Sequence, residues 1–296
     1  LTYAGHKANL DGLPADRHTF VHGNICDAKA LETVLTQHNI QKIVHFAAES
    51  HVDRSIASAA PFIQTNVLGT QCLLDAAKQH NIQRFVHVST DEVYGSLSET
   101  EPAFTEEHPI QPNSPYAASK ASSDLLVRAY VETHKFPALI TRCSNNYGPY
   151  QFPEKLIPLM IHHAKQGKPL PVYGQGLNIR DWIHVSDHCK GVYAVLTKGR
   201  DGEVYNIGGE SERRNIDIVK TIIQAVGASE TLIEYVTDRL GHDFRYAINI
   251  SKIKQELGWE PEVSFEQGLA DTIAWYNSHD DWIAAVVKSI GATDGR

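Results

Sequence analysis

The apolar positions of this chain fall into two alternating patterns. QKIVHFAA (41–48) and RFVHVST (84–90) are short apolar runs of strand type, and ALITRCSNNYG (138–148) is a third that continues into a loop. Between them, PFIQTNVLGTQCLLDAAKQHN (61–81) repeats apolar residues at helical spacing through Ile63, Val67, Leu68, Leu73, Leu74 and Ala77. SPYAASKASSDLLVRAYVETH (114–134) reads as a second helix, with Ser114 as N-cap and Pro115 at the first helical position. Buried strands alternating with helices predict a parallel sheet covered on both faces. Right-handed crossovers make this a doubly wound, Rossmann-like α/β fold. Ligands of such sheets gather at the carboxyl ends of the strands. AAESHVD, STDEVYG and SNNYGP all stand at those ends.

After residue 145 the character changes. Proline and glycine become frequent, and FPEKLIP, KPLPVYGQG, IRDWIHV and GEVYNIGG read as short strand-like pieces. The predicted organisation is a first unit, 1–145, built on the main sheet, and a smaller mixed α/β lobe, 146–296. Within the second unit, HVSDHCKGVYAVLTKG (184–199) reads as a helix that returns to the main sheet. The tail from about Asp280 is helix-like.

Composition narrows the class. A chain of 296 residues with 42% hydrophobic and 21% charged residues can bury a sizeable core. Its net charge of -8 offers no basic surface for nucleic acid, so an anionic ligand has to be held by local basic groups. Cys26, Cys72, Cys143 and Cys189 are far apart and form no C-x-x-C pair; they read as reduced, mostly buried thiols of a cytoplasmic protein. The 16 histidines show no metal-ligand spacing, and no metal is expected. No apolar run has the length of a membrane span, and the first residues have no signal-peptide pattern.

Two constellations carry chemistry. Tyr116 and Lys120 are separated by one helical turn and share a face. A nearby ammonium favours a phenolate, so such a tyrosine can take a proton from an alcohol near neutral pH. The second is the adjacent acid pair Asp91 and Glu92, which follows Ser89 and Thr90 just past the end of the strand 84–90. Thr90, Tyr116 and Lys120 together resemble the catalytic triad of the extended short-chain dehydrogenase/reductases. AAESHVDRS, TNVLGT, STDEVYG, SPYAASKASSD, TRCSNNYGPYQFPEKLIP, PVYGQGLNIRDWIHVSDH and DRLGHDFRYAI narrow the resemblance to the dTDP-glucose 4,6-dehydratase family, across nearly the whole chain. The Thr-Asp-Glu stretch is its most specific element, because related epimerases and decarboxylases generally share the Tyr and Lys without the acid pair.

The resemblance implies an NAD-dependent enzyme that oxidises the sugar at C4, eliminates water across C5–C6 and reduces C6. Tyr116 is expected to take the C4 hydroxyl proton, Glu92 the C5 proton, and Asp91 to protonate the departing hydroxyl. Two adjacent acids in different surroundings can hold one charged and one neutral carboxyl. Implied contacts to the nucleotide-sugar are His51, Thr90, Asn145, Lys155, Leu156, Pro171, Val172, Tyr173, Arg180, Asn215, Arg239 and His242. Arg180 and Arg239 are expected to face the diphosphate. Implied contacts to NAD are Leu1, Thr2, Asn24, Ile25, Phe46, Ala47, Ala48, Ser50, Thr65, Tyr116, Lys120 and Asn146. A homodimer is implied through the helices near 61–80 and 115–134, whose apolar residues exceed one stripe.

Some positions depart from the family pattern. Asn24 stands where aspartate is usual, and Leu240 and Phe244 stand where proline and arginine are usual. No Gly-x-x-Gly-x-x-Gly loop occurs in the sequence; LTYAG, at residue 1, resembles the stretch that follows such a loop, its helix and the next strand. The first βαβ unit is therefore expected to be missing from this chain, and weak retention of NAD is the expected consequence. Other readings of the residues are a dehydratase or epimerase acting on a UDP- or CDP-sugar, and a truncated paralogue that binds a nucleotide-sugar without catalysis.

Overall fold

Val44, Val86, Leu139 and their neighbours are β-branched or aliphatic residues in short runs, which suit strands buried on both faces. The computed structural model describes residues 1–293, so the last three residues of the second unit lie outside the described residues. The main sheet has four parallel strands in the order Lys42–His45, Arg84–Thr90, Ala138–Cys143, Val204–Ile207. The register sets Val44 beside Val86 and Val86 beside Leu139. Alternation along the strands sends side chains to opposite faces. Phe85, Ala138 and Ile140 pack against Leu73, Leu74, Ala77 and Val127 of the helices Thr70–Gln79 and Pro115–His134. Val86, Val88 and Leu139 pack on the other face against Val192 and Val195 of Val185–Lys198 and Ile253 of Ser251–Leu257. The doubly wound α/β expectation is met. The outer edge of Lys42–His45 pairs with no strand among the described residues.

The second half of the chain both completes this sheet and builds its own layer. Strand Val204–Ile207 and helix Val185–Lys198 belong to the main sheet. Helices Leu156–Lys165, Asn215–Val226 and Phe265–Ser278 enclose a separate core around Ile157, Ile161, Val219, Ile222 and Leu269. Two small sheets attach to it. One joins Asn145–Tyr147, Ile179–His184 and Glu212–Arg214; the other joins Leu170–Tyr173 to Ile233–Val236. The tail Asp280–Thr293 is helical.

Three readings are corrected. The segment 61–81 is not one regular helix: a wide π-helical stretch, Ile63–Gly69, joins Ala60–Phe62 to Thr70–Gln79. It brings Asn66 inward, where its amide accepts from the Glu49 N–H (2.8 Å) and donates to the Glu49 carbonyl (2.9 Å) and Ser119 Oγ (2.8 Å). Such widened turns are frequent at functional sites. FPEKLIP is not strand-like; it leads into helix Leu156–Lys165, whose first turn accommodates Pro158 because an N–H there has no intrahelical partner. The four cysteines are free, but Cys189 is exposed and the other three only part-buried. Among the described residues no helix is long and apolar enough to cross a membrane.

Candidate active site

The carboxyl end of strand Arg84–Thr90 turns directly into the short helix Asp91–Tyr94. Thr90 Oγ accepts the Glu92 N–H (3.3 Å), capping that turn, and reaches Asp91 Oδ1 at 3.3 Å. Gly95 closes the turn at φ 97°, and a Cβ there would lie 2.6 Å from the Gln111 carbonyl oxygen. Asp91 is 2% exposed and its Oδ2 is buried without a hydrogen-bond partner. Burial, then the charges of Glu92 and Asp181, push its carboxyl well above the usual range, with Arg180 opposing. Glu92 is part-buried. Burial raises it too, but three cations, Arg180, Lys155 and Arg239, oppose the shift. The two adjacent acids thus sit in unequal fields.

Helix Pro115–His134 starts on the expected cap: Ser114 Oγ accepts the Ala117 N–H at 3.1 Å. It carries Tyr116 and Lys120 into the sheet end, 8% and 4% exposed. The Lys120 ammonium donates to the Val88 carbonyl at 2.8 Å, and burial lowers its pKa to about 8. The Tyr116 phenol lies well above 10, raised by burial, then by Glu92 and Cys143, while the Thr90 hydroxyl opposes as its hydrogen-bond partner. The dominant influences on this phenol are therefore burial and the neighbouring carboxyl, not the ammonium one turn away.

A crevice of ≈ 950 Å³ runs between the sheet end and the second layer. Thr90, Asp91, Glu92, Tyr116 and Lys120 all line it. So do His51, Asn145, Lys155, Leu156, Pro171, Val172, Tyr173, Arg180, Asn215, Arg239 and His242. Of the residues expected at NAD, Phe46, Ala48, Ser50 and Asn146 line it with Tyr116 and Lys120, whereas Leu1, Thr2, Asn24, Ile25, Ala47 and Thr65 do not. The Leu1 amine meets His22 Nε2 (3.0 Å), and Asn24 Oδ1 accepts the Cys26 N–H (2.9 Å). Ile25 packs under Gly69, and Thr65 lies in the π-helical stretch. Leu1, Thr2 and Ala47 are exposed.

The cations of the crevice are already engaged. Arg239 grips Asp53 through Nε (2.6 Å) and Nη2 (2.8 Å), and Tyr173 OH donates to Asp53 Oδ2 (3.2 Å). Arg180 donates to the carbonyls of Ile179 (2.7 Å) and Asp243 (2.9 Å) and stacks 4.2 Å over the Tyr246 ring. Lys155 Nζ donates to the Ser50 carbonyl at 2.8 Å. His51 stands between Glu154 (3.7 Å) and Asp53 (3.9 Å), and burial lowers its pKa. Asp53, Glu154, Asp181, Asp243 and Tyr246 were not singled out from the sequence. Asp53 lies in the quoted AAESHVDRS, but nothing local ties it to an arginine 186 positions away.

Known proteins are similar to this chain over nearly its whole length. The family model described as GDP-mannose 4,6 dehydratase matches residues 1–272. The dTDP-glucose 4,6-dehydratase of Xanthomonas campestris pv. campestris is 51% identical, over 99% of this chain and 90% of that protein. The crystal structure of DesIV, a dTDP-glucose 4,6-dehydratase from Streptomyces venezuelae with NAD and TYD bound, is similar at TM-score 0.94 and 51% identity, over 97% of this chain and 88% of that one. A UDP-glucose 4-epimerase from Thermus thermophilus in complex with NAD reaches TM-score 0.87 at 25% identity, over 93% of this chain and 88% of that one. With the acid pair and the Tyr–Lys pair converging in one crevice, and half of all positions shared over nearly the full length, the chain belongs to the dTDP-glucose 4,6-dehydratase family.

Proposed function

We propose that the chain performs its family's reaction, the NAD-dependent removal of water from dTDP-glucose to give the 4-keto-6-deoxy sugar, with Thr90, Asp91, Glu92, Tyr116 and Lys120 at the reacting carbons. The observation that carries this reading is the unequal setting of Asp91 and Glu92. Elimination across C5–C6 needs a neutral carboxyl and a charged one together. Asp91, pushed up by burial and two neighbouring acids, suits the donor that protonates the leaving C6 hydroxyl. Glu92, facing Arg180, Lys155 and Arg239, suits the base that takes the C5 proton.

NAD held here would supply the hydride chemistry, oxidation at C4 and reduction at C6. Several residues fit such a ligand. Lys120 donates once to Val88 and has two further N–H groups. Asn146 Oδ1 and Ser89 Oγ are buried polar atoms without partners, suited to ribose hydroxyls and a carboxamide. Tyr116, with Thr90 as hydrogen-bond partner of its phenol, is the residue to take the C4 hydroxyl proton; the positive charge that NAD would bring and the Lys120 ammonium would both work against the burial that holds the phenol protonated. Arg180, Arg239 and Lys155 gather positive charge in a chain of net charge -8, which supports their facing the diphosphate.

We further infer a homodimer. Ile63, Leu68 and Leu125 are 45%, 45% and 55% exposed on the adjacent helical segments 60–79 and 115–134, which supports burial against a second copy. Four free cysteines support a cytoplasmic setting.

The test is incubation with NAD and dTDP-glucose, or with UDP-glucose, followed by NMR of the sugar. A 4-keto-6-deoxy product from dTDP-glucose is expected, and Tyr116→Phe should slow its formation by about 10²- to 10⁴-fold. A 4-epimer as product, or preference for UDP-glucose, would overturn the assignment.

A further inference from the structure

One turn beyond Lys120, on the same face of helix Pro115–His134, stands an acid that the reaction steps leave unused. Asp124 is 1% exposed. Positions 116, 120 and 124 stack at i, i+4 and i+8. Helical side chains lean toward the N-terminus, so the Asp124 carboxylate lies over the turn that carries Lys120. Its Oδ2 accepts from Arg142 Nε at 2.9 Å. Its Oδ1 has no hydrogen-bond partner and lies 3.5 Å from His87 Nε2, which in turn meets Ser123 Oγ at 3.0 Å.

The groups that face Lys120 or its neighbour Asp124 come from each strand packed there: His45, His87 and Cys143 interact with the ammonium, and Arg142 holds Asp124. His45 belongs to strand Lys42–His45, His87 to Arg84–Thr90, and Arg142 and Cys143 to Ala138–Cys143. Both histidines are held neutral by burial, with the charge of Lys120 adding to the effect. Arg142 is a cation, and burial raises the Cys143 thiol to about 12, which keeps it neutral. Asp124 is the carboxylate that favours the ammonium at this depth.

We propose that Asp124 is a positioning residue for the reaction: clamped by Arg142 beneath the Tyr116–Lys120 pair, its carboxylate keeps Lys120 charged in a buried site. That Lys120 takes part in the reaction rests on the proposed function; its charge state does not. A purely structural Asp124–Arg142 bridge would tie helix to strand and leave Lys120 alone. The two accounts separate because the bridge has two ends of opposite charge. Losing the acid removes an attraction on the ammonium, and losing the arginine removes a repulsion.

The test is NMR titration of the Lys120 ε-carbon in the intact chain labelled with ¹³C-lysine, the signal being assigned by its loss in Lys120→Arg. The parent midpoint is expected near 8. Asp124→Asn should lower it by about one pH unit or more. Asp124→Glu should stay close to the parent, and Arg142→Gln should raise it. A midpoint unmoved in Asp124→Asn, or Arg142→Gln lowering it, would overturn the proposal. If Asp124→Asn does not fold, the direction of the shift in Arg142→Gln decides. No turnover is needed, so an inactive chain leaves the result intact.

Discussion

Arg239 and Asp53 meet in a two-point ion pair, Nε to Oδ1 at 2.6 Å and Nη2 to Oδ2 at 2.8 Å. It ties the short helix Val52–Ala57, beside the main sheet, to the segment that follows strand Ile233–Val236. Tyr173 reinforces it, donating to Asp53 while its ring lies 5.1 Å from the Arg239 guanidinium. A planar fork of this kind suits a carboxylate and a phosphate equally. The diphosphate proposed to face Arg239 would have to share it with Asp53 or take it over.

Arg239→Ala is expected to weaken dTDP binding by about 10- to 100-fold, the range of one or two charge-assisted hydrogen bonds. Calorimetry with dTDP reads this directly. An unchanged Kd would mean that Arg239 serves only to join the two walls.

Glu92→Gln should keep oxidation at C4 while losing exchange of the C5 hydrogen with solvent. Deuterium incorporation at C5 in D₂O, followed by NMR, checks it. Exchange at the parent rate would move the base to another residue.

Asp91→Asn should abolish elimination and also make the protein more stable at neutral pH. The folded pKa of Asp91 lies above its unfolded value, so the folded state holds the proton more tightly. Above the unfolded value, the ionised carboxyl favours unfolding, and this cost grows as pH rises toward the folded pKa. Asparagine removes the ionisation. Urea midpoints at pH 5 and pH 8 should show a larger gain for the variant at pH 8.

His45 gives the opposite slope. It is 3% exposed, bonds Thr70 Oγ at 2.9 Å, and burial takes its pKa from 6.5 to about 3. A depressed folded pKa contributes stability that is present above the unfolded value and lost as pH falls. Between about 6.5 and 3 the loss is about 1.4 kcal/mol per pH unit for one such group. His45→Gln should flatten the fall in stability between pH 6 and pH 4. An identical slope in the variant would show that His45 takes up its proton without unfolding.

The two chemical pairs were legible because their logic is local. Tyr116 and Lys120 are one turn apart, and Asp91 and Glu92 adjoin the end of an apolar strand. Local pattern could not show that Arg239 is held by Asp53, because that contact is made by the fold alone. The π-helical stretch escaped for a similar reason: Asn66 turns inward to bond the backbone of Glu49, and helical periodicity does not encode that pairing. FPEKLIP was misread because its prolines suggest a broken chain, although Pro158 falls where a helix tolerates it. Of the expected NAD contacts, those on the long helix and all but Ala47 at the strand ends reach the crevice. Leu1, Thr2, Asn24 and Ile25 precede the first strand of the sheet and do not line it.

Strand Val204–Ile207 lies beside Ala138–Cys143, although the chain builds much of the second layer between them. The two halves are therefore not exchangeable modules. A gene cut at residue 145 leaves the first fragment with three strands and a bare hydrogen-bonding edge, and gives the other a strand with nothing to pair against. A transplanted sugar-binding half has to bring a fourth strand that fits its host. Changes of substrate in such a scaffold are more accessible by substitutions within the crevice than by recombination between relatives.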